Sequence, residues 1–349
     1  MMYSGVRFDR STRHGRWMDP TGRPGLASVI IPTFNRAALL DQALASAQSQ
    51  TYRPIEILVV DDGSADDTPA VLSRWQDKLR GEAGISLRAI RQVNSGVSSA
   101  LNHGLIESAG EFIQFLDSDD ILFPEKMRLQ IACLEKHPEA GLAFSQTVEL
   151  GAGIIEQPPS LDEAVVVPSA GYYLQNDVLR IQAVYRRQSC WAAGPWSEDI
   201  RLSEDREYNF RVLLVNDKIV HLPGKLSAVR AHTSGRLMDL YYQPDGFQIR
   251  LRALNMMADV ARSQNCLDNR RLIGNLSQRY TVLATDALQR GHSEIVRAAI
   301  RSCRALPISR ARRVRLTVYQ LFNFFPPAVY RAWAPLWQNV RRRLLRANG

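Results

Sequence analysis

The chain lacks a glycine-rich phosphate loop. Its first strand signal, ASVIIP at 27–32, runs into Thr33-Phe34-Asn35, where a dinucleotide-binding fold would carry G-x-G-x-x-G, and no P-loop occurs either. Cysteine is scarce. The four, Cys133, Cys190, Cys266 and Cys303, lie too far apart for a metal cluster and read as reduced thiols of a cytoplasmic protein. Residues 1–25 are polar, rich in Arg and Gly, and lack the apolar core of a secretory signal, so a disordered leader is expected there. Acidic charge is missing from one end only: residues 301–349 hold eleven arginines and no Asp, Glu or Lys. Removing those eleven charges from the overall +9 leaves −2 for residues 1–300. By charge, the body is not a nucleic-acid binder, and the basicity belongs to the tail.

What is present suits a large core with a smaller appendage: 349 residues at 45% hydrophobic content. Residues 27–32, 55–60, 85–92 and 112–116 read as buried strands. They alternate with helical stretches at 36–50, 68–79 and 96–108, the first with Leu40, Ala43, Leu44 and Ala47 on one face. That alternation predicts βαβ units, a parallel sheet and right-handed crossovers. The strand ends bearing Asn35, Asp61/Asp62 and Asp117/Asp119/Asp120 should then line one edge, where open α/β sheets bind ligands.

The centre is FIQFLDSDDILFP at 112–124. A strand that meets three carboxylates in four residues has reached its end, because like charges repel. A divalent cation between them, magnesium or manganese, would relieve the repulsion; the alternative is an Asp-rich turn ahead of a helix at Pro124. Further on, Ser203 reads as the N-cap of a helix running to Val215. Glu204 and Asp205 fall in its first turn, where the helix dipole favours carboxylates. Asp205 shares a face with Tyr208, Asn209 and Val212. Strands are expected near 142–150, 181–187, 218–222 and 226–230, and Trp191 and Trp196 read as core residues rather than sugar platforms.

The stretches SVIIPTFNR, SAQSQTYRPIEILVVDDGSADDT, NSGVSSALNHGLIESAGEFIQFLDSDD, AAGPWSEDIRLSEDREYNFR and VRAHTSG follow one another in the order and spacing of family 2 glycosyltransferases, which the chain resembles from about Ala27 to Gly235. The resemblance implies a GT-A fold, an α/β Rossmann-like, mostly parallel sheet flanked by helices. It implies a nucleotide-diphosphate sugar donor with a UDP-sugar favoured, Mn2+ or Mg2+ as cofactor, and inversion at the anomeric carbon. Pro32, Thr33 and Asn35 would line the nucleoside pocket, and Asp62 with Asp61 would accept from the N3–H of a uracil-type base. Asn94, Gly96 and Asn102 would admit the donor at a helix start, although Leu101 stands where many relatives carry an arginine. Asp117 and Ser118 would face the ribose or sugar, Asp119, Asp120 and His232 the metal. Asp205 would be the general base.

From residue 245 onward, 246–263, 270–289 and 293–304 read as helices of a C-terminal helical appendage. The final segment places Phe322, Phe324, Phe325, Trp333 and Trp337 between arginine clusters. Pro326, Pro327, Arg331 and Pro335 interrupt any transmembrane span. A membrane surface is the first reading for 306–349 and packing on the body the second. The expected domains are a leader at 1–25, a transferase domain at 26–240, helices at 241–305 and an amphipathic tail at 306–349. The expected function is an inverting transferase acting on a saccharide or lipid-linked acceptor in surface polysaccharide or glycoconjugate assembly, cytoplasmic or peripheral at the inner face of the membrane. A non-catalytic, membrane-docked nucleotide-sugar-binding subunit and a sugar nucleotidyltransferase are the alternatives. The second of these normally carries a Gly-rich phosphate loop after the first strand.

Overall fold

The computed structural model describes residues 12–15, 17–151, 158–169, 180–230 and 240–334. The chain divides into two compact units, Met1–Thr233 and Ser234–Gly349.

In the first unit β1 (Arg23–Thr33), β2 (Ile55–Asp61), β3 (Ile85–Arg91) and β4 (Gly110–Phe115) pair in parallel in the order β3-β2-β1-β4. The helices α1 (Ala37–Gln48), α2 (Thr68–Leu79) and α3 (Val97–Glu107) make the crossovers. This is the half that the strand–helix alternation predicts. Leu40, Ala43, Leu44 and Ala47 of α1 are fully buried against it. Removing a side chain such as Leu44 from water contributes about 1.5–3 kcal/mol. Gly104 lets α3 approach closely, since a Cβ there would fall 2.4 Å from Ile30.

Beyond β4 the sheet is mixed. The short β5 (Ile121–Leu122) and α4 (Lys126–Lys136) follow the carboxylate turn. Then come β6 (Ala140–Glu149), β7 (Val165–Pro168), β8 (Ala183–Arg186) and β9 (Lys218–Val229). The strand β8 runs antiparallel between β4 and β6, β9 is parallel to β6, and β5 and β7 add antiparallel to β9. Among the described strands, four pairings are therefore parallel and four antiparallel, so "mostly parallel" holds only for the first half. The two strands expected at 218–222 and 226–230 form one. Pro223-Gly224 does not break it, because Gly224 takes φ +113, open to glycine. Between β8 and β9 lie α5 (Arg187–Ala193) and α6 (Glu204–Val215).

The expected leader is corrected at its C-terminal end. Trp17 donates its ring N–H to the Trp191 carbonyl at 3.2 Å, Met18 is buried, and Arg187 donates to the Asp19 carbonyl. Two apolar anchors in a polar stretch suffice to dock it, and composition averages hide them.

The second unit is helical: α7 (Pro244–Ser263), α8 (Arg270–Arg290), α9 (Ser293–Arg304) and α10 (Arg310–Phe322). Leu276, Tyr280, Ala284, Val296, Ala299 and Cys303 fill its core. Among the described residues no helix is long and apolar enough to cross a membrane.

Candidate active site

The strand ends meet on one edge. Thr33 pairs with Asp61, and Asp61 with Arg91. Asn35, at φ +53, donates its N–H to Ser64 Oγ at 2.9 Å and accepts from the Ala65 N–H at 2.7 Å, so it stitches the first two strand-end loops together. Asp61 accepts from the Ser64 N–H at 2.8 Å and lies 3.4 Å from Arg91. Asp62, also buried, accepts from Gln92 Nε2 and from the Ser95 and Gly96 N–H groups, each at 2.8 Å. Its carboxylate is thus first the clamp of the loop entering α3. Two oxygens offer about four acceptor sites, so one further bond to a base N–H fits.

Pro32 is buried within β1. Thr33 Oγ1 is buried without a partner, as a group awaiting a ligand would be. Asn94 is exposed, and Gly96, at φ +91, has open space where a Cβ would point. Asn102 is placed elsewhere. It is fully buried, donates to the Trp196 carbonyl and Glu198 Oε1 at 3.0 Å each, and accepts from the Trp196 N–H at 2.7 Å. It latches α3 to the 196–198 segment, and its amide has no face toward a donor. Leu101 is fully buried and offers no polar contact.

The carboxylate turn follows β4. Ser118, Asp119 and Asp120 are buried, and the Asp120 N–H closes the turn on the Asp117 carbonyl at 3.1 Å. Sequence reasoning expected a cation to make this cluster tolerable; three arginines that it did not single out do part of that work. Arg36, at the start of α1, pairs with Asp119. Arg180 donates through Nε to Asp117 at 3.0 Å. Arg230, just past β9, gives its backbone N–H to Asp120 at 3.0 Å and its Nε to the Asp119 carbonyl at 3.3 Å. The pairing of Ile121 with Ala228 brings it there. Burial pushes the Asp120 carboxyl up to about 8, and the charges of Asp117 and Asp119 add to the rise.

Arg180 also joins this turn to α6, through a 3.2 Å contact with Glu204. Burial works against its charge, but Asp117, Glu204 and Asp205 outweigh that, and the guanidinium is held charged more firmly than an ordinary arginine. Glu204 is buried, and burial pushes its carboxyl up to about 7 against the pull of Arg180. Asp205 is only half-buried and accepts from the Arg206 N–H at 2.8 Å. Ser203 is corrected as a cap: it sits at φ +64 and makes no side-chain capping bond, and its carbonyl serves the helix instead, accepting from the Glu207 N–H at 3.0 Å. Trp196 is a core residue, stacked on Tyr208 at 3.9 Å.

Beneath Arg180 lies a buried polar hub. Lys126 of α4 is fully buried and donates to Gln114 Oε1 and, at 2.7 Å, to Gln130 Oε1. The same two glutamines donate to the Ile181 carbonyl at 3.2 Å and the Gln182 carbonyl at 2.8 Å. The turn that carries Arg180 is therefore held from below. Burial pushes the Lys126 ammonium well below its ordinary pKa.

Hard carboxylate oxygens at the turn suit magnesium or manganese. No group of three His, Cys, Asp or Glu side chains forms a metal cage among the described residues, and His232 lies outside them. Such ions in nucleotide enzymes typically take one or two carboxylates together with substrate phosphates. Asp119 and Asp120 meet that requirement, and added positive charge would favour the ionised form of Asp120.

Residues 28–192 match the family model for glycosyl transferase family 2. An uncharacterised glycosyltransferase of Rickettsia typhi is 39% identical over 111 residues, 32% of each chain. The GalNAc(5)-diNAcBac-PP-undecaprenol beta-1,3-glucosyltransferase of Campylobacter jejuni is 41% identical over 95 residues, 27% of this chain and 30% of its own. An amylovoran biosynthesis glycosyltransferase of Erwinia amylovora is 28% identical over 207 residues, 58% and 76% of the two chains. The match to the first of these relatives spans about a third of that protein's length. Among solved structures, residues 1–349 of S. aureus TarS with UDP-GlcNAc superpose at a TM-score of 0.68 and 18% identity, over 88% of this chain and 91% of that one. A Pyrobaculum calidifontis mannosyltransferase with GDP-Man and Mn2+ superposes at 0.54 and 17%, over 95% and 87%. The fold is that of the GT-A glycosyltransferases. Over residues 28–192, a little under half of its length, the chain is similar to glycosyl transferase family 2.

Proposed function

We propose that the chain is an inverting, metal-dependent glycosyltransferase that moves a sugar from a nucleotide-diphosphate sugar, a UDP-sugar by preference, to an acceptor hydroxyl. The observation that carries this reading is the Glu204–Arg180–Asp117 bridge, which ties the half-buried Asp205 to the strand-end carboxylates. Of the two acidic residues opening α6, Glu204 is buried and occupied by Arg180, which leaves Asp205 for an acceptor. In the transfer, the acceptor O–H proton passes to the Asp205 carboxylate and the acceptor oxygen forms the new bond to the anomeric carbon. The bond from that carbon to the diphosphate oxygen breaks with its electron pair, and the configuration inverts. Asp119 and Asp120 would hold Mn2+ or Mg2+, whose chemistry is to neutralise the departing diphosphate. Thr33, Asn35 and Asp62, with Pro32 and Asp61 behind them and Asn94 and Gly96 beside, would receive the nucleoside; Asp117 and Ser118 would face the ribose or sugar.

The relatives named for an undecaprenol-linked substrate and for amylovoran biosynthesis support a saccharide or lipid-linked acceptor and a place in surface polysaccharide assembly. On this reading the transferase domain would be 26–240, with the helices beyond it as an appendage. Asp205→Asn tests the reading. It keeps the shape of the side chain and removes proton acceptance, so transfer should fall about 10²–10⁴-fold while UDP-sugar affinity stays unchanged. Full transfer by the variant, or equal loss of binding and transfer, would overturn Asp205 as the base.

A further inference from the structure

We propose that the outer face of α10 and the turn after it is a docking site for an anionic lipid surface. The helix buries only Leu316 and Tyr319 against its own unit. Its other side carries Arg310, Val314, Thr317 and Leu321, spaced three to four residues apart, and the stripe continues into Phe324 and Phe325, which are 80% and 56% exposed. Two large aromatics so exposed on consecutive positions are not scattered surface apolar residues. They stand on a firm base, since Phe322 packs on Trp333 at 4.3 Å and Tyr330 is buried.

The charge of this face selects the occupant. Arg310, Arg313 and Arg331 are exposed around the stripe, and no acidic residue occurs between 301 and 349. Apolar and aromatic residues flanked by arginines alone are complementary to a headgroup layer of negative charge, in which such a helix lies flat with its apolar stripe at the acyl boundary. Arg312 is outside the docking set, because it is turned inward onto the Gly274 carbonyl at 2.7 Å. The surface stands on these residues; only its purpose, to bring the transferase to a lipid-linked acceptor, rests on the proposed function.

The test uses the full chain and co-sedimentation with vesicles of phosphatidylglycerol and phosphatidylcholine, against phosphatidylcholine alone. Binding is expected only to the anionic vesicles and should weaken with salt. Arg310→Glu with Arg313→Glu should weaken it by more than about 25-fold, since each basic residue at an anionic surface is worth roughly fivefold. Phe324→Ser with Phe325→Ser should weaken it at least about tenfold. Melting temperature and UDP affinity should be unchanged in both. Wild-type protein that ignores anionic vesicles, binds neutral ones equally well, or self-associates through Phe324 and Phe325 instead would overturn the docking site. Vesicle binding that behaves as stated in a protein that fails to bind UDP would leave the site standing and remove the transferase reading.

Discussion

Glu204→Gln isolates the linkage between the two halves of the site. In the wild type, burial holds the Glu204 carboxyl at about 7, above the 4.5 of an ordinary glutamate. Between those values the folded chain binds more protons at this position than the unfolded chain. Stability therefore falls as pH rises through that window, and the contribution levels off above 7. A shift from 4.5 to about 7 corresponds to a change on the order of 3 kcal/mol across the window. Glutamine has no proton to exchange and keeps an Oε1 for Arg180. The variant should track the wild type at pH 4.5 and grow progressively more stable than it toward pH 8. Urea unfolding at four pH values reads the difference directly. Parallel curves, or a gap that opens toward acid, would refute the reasoning: Glu204 would then be an ordinary ionised partner of Arg180.

Three further outcomes follow from the same geometry. Asp119→Ala should abolish the part of UDP-sugar affinity that depends on manganese and leave the fold intact, read as a thermal shift with and without the metal; unchanged affinity in manganese would remove the metal assignment. Lys126→Met should lose the rise in stability that the wild type shows as pH climbs toward 10, because a buried amine with a depressed pKa favours the folded state where it is neutral. It should also slow transfer more than it weakens donor binding, since Arg180 loses its support; equal effects on both would make the hub purely structural. Asn102→Ala should cost about 1–3 kcal/mol of stability by stranding the buried Trp196 N–H and carbonyl, with UDP affinity untouched. A selective loss of UDP affinity would restore Asn102 to the donor pocket.

What could be read beforehand was whatever depends on local pattern. Apolar runs that end in polar residues mark β1, β2 and β4, so Thr33, Asp61 and the 117–120 turn could be placed on one edge without coordinates. Strand direction in the second half could not. The residues of β8 pair with β4 and β6 at separations of roughly 40 to 70 positions, and nothing local in AVYR distinguishes an antiparallel neighbour from a parallel one. The three arginines were missed for a similar reason. Arg36, Arg180 and Arg230 lie 83, 63 and 110 positions from the carboxylates they meet, in a chain with 44 Lys and Arg residues. Asn102 was read toward the donor because an asparagine within a helix looks the same in sequence whether it faces a ligand or a buried peptide.

These missed contacts bear on how the site works. Five carboxyl groups, Asp117, Asp119, Asp120, Glu204 and Asp205, lie in a site with three guanidiniums, and burial still pushes the Asp120 and Glu204 carboxyls up to about 8 and about 7, so further positive charge would favour their ionised forms. A site fully neutralised by arginine would have no electrostatic use for a divalent ion, and one with no arginine would hold its carboxylates together only when loaded. The arrangement lies between these limits. Arg180 matters most in it, because it is only 13% exposed, sits on a turn held from beneath by Gln114 and Gln130, and is shared by the donor-side turn and the helix carrying the base. Any movement of α6 relative to the carboxylate turn has to break or stretch the Glu204–Arg180–Asp117 bridge, and it is this bridge that keeps Asp205 in one position relative to Asp117.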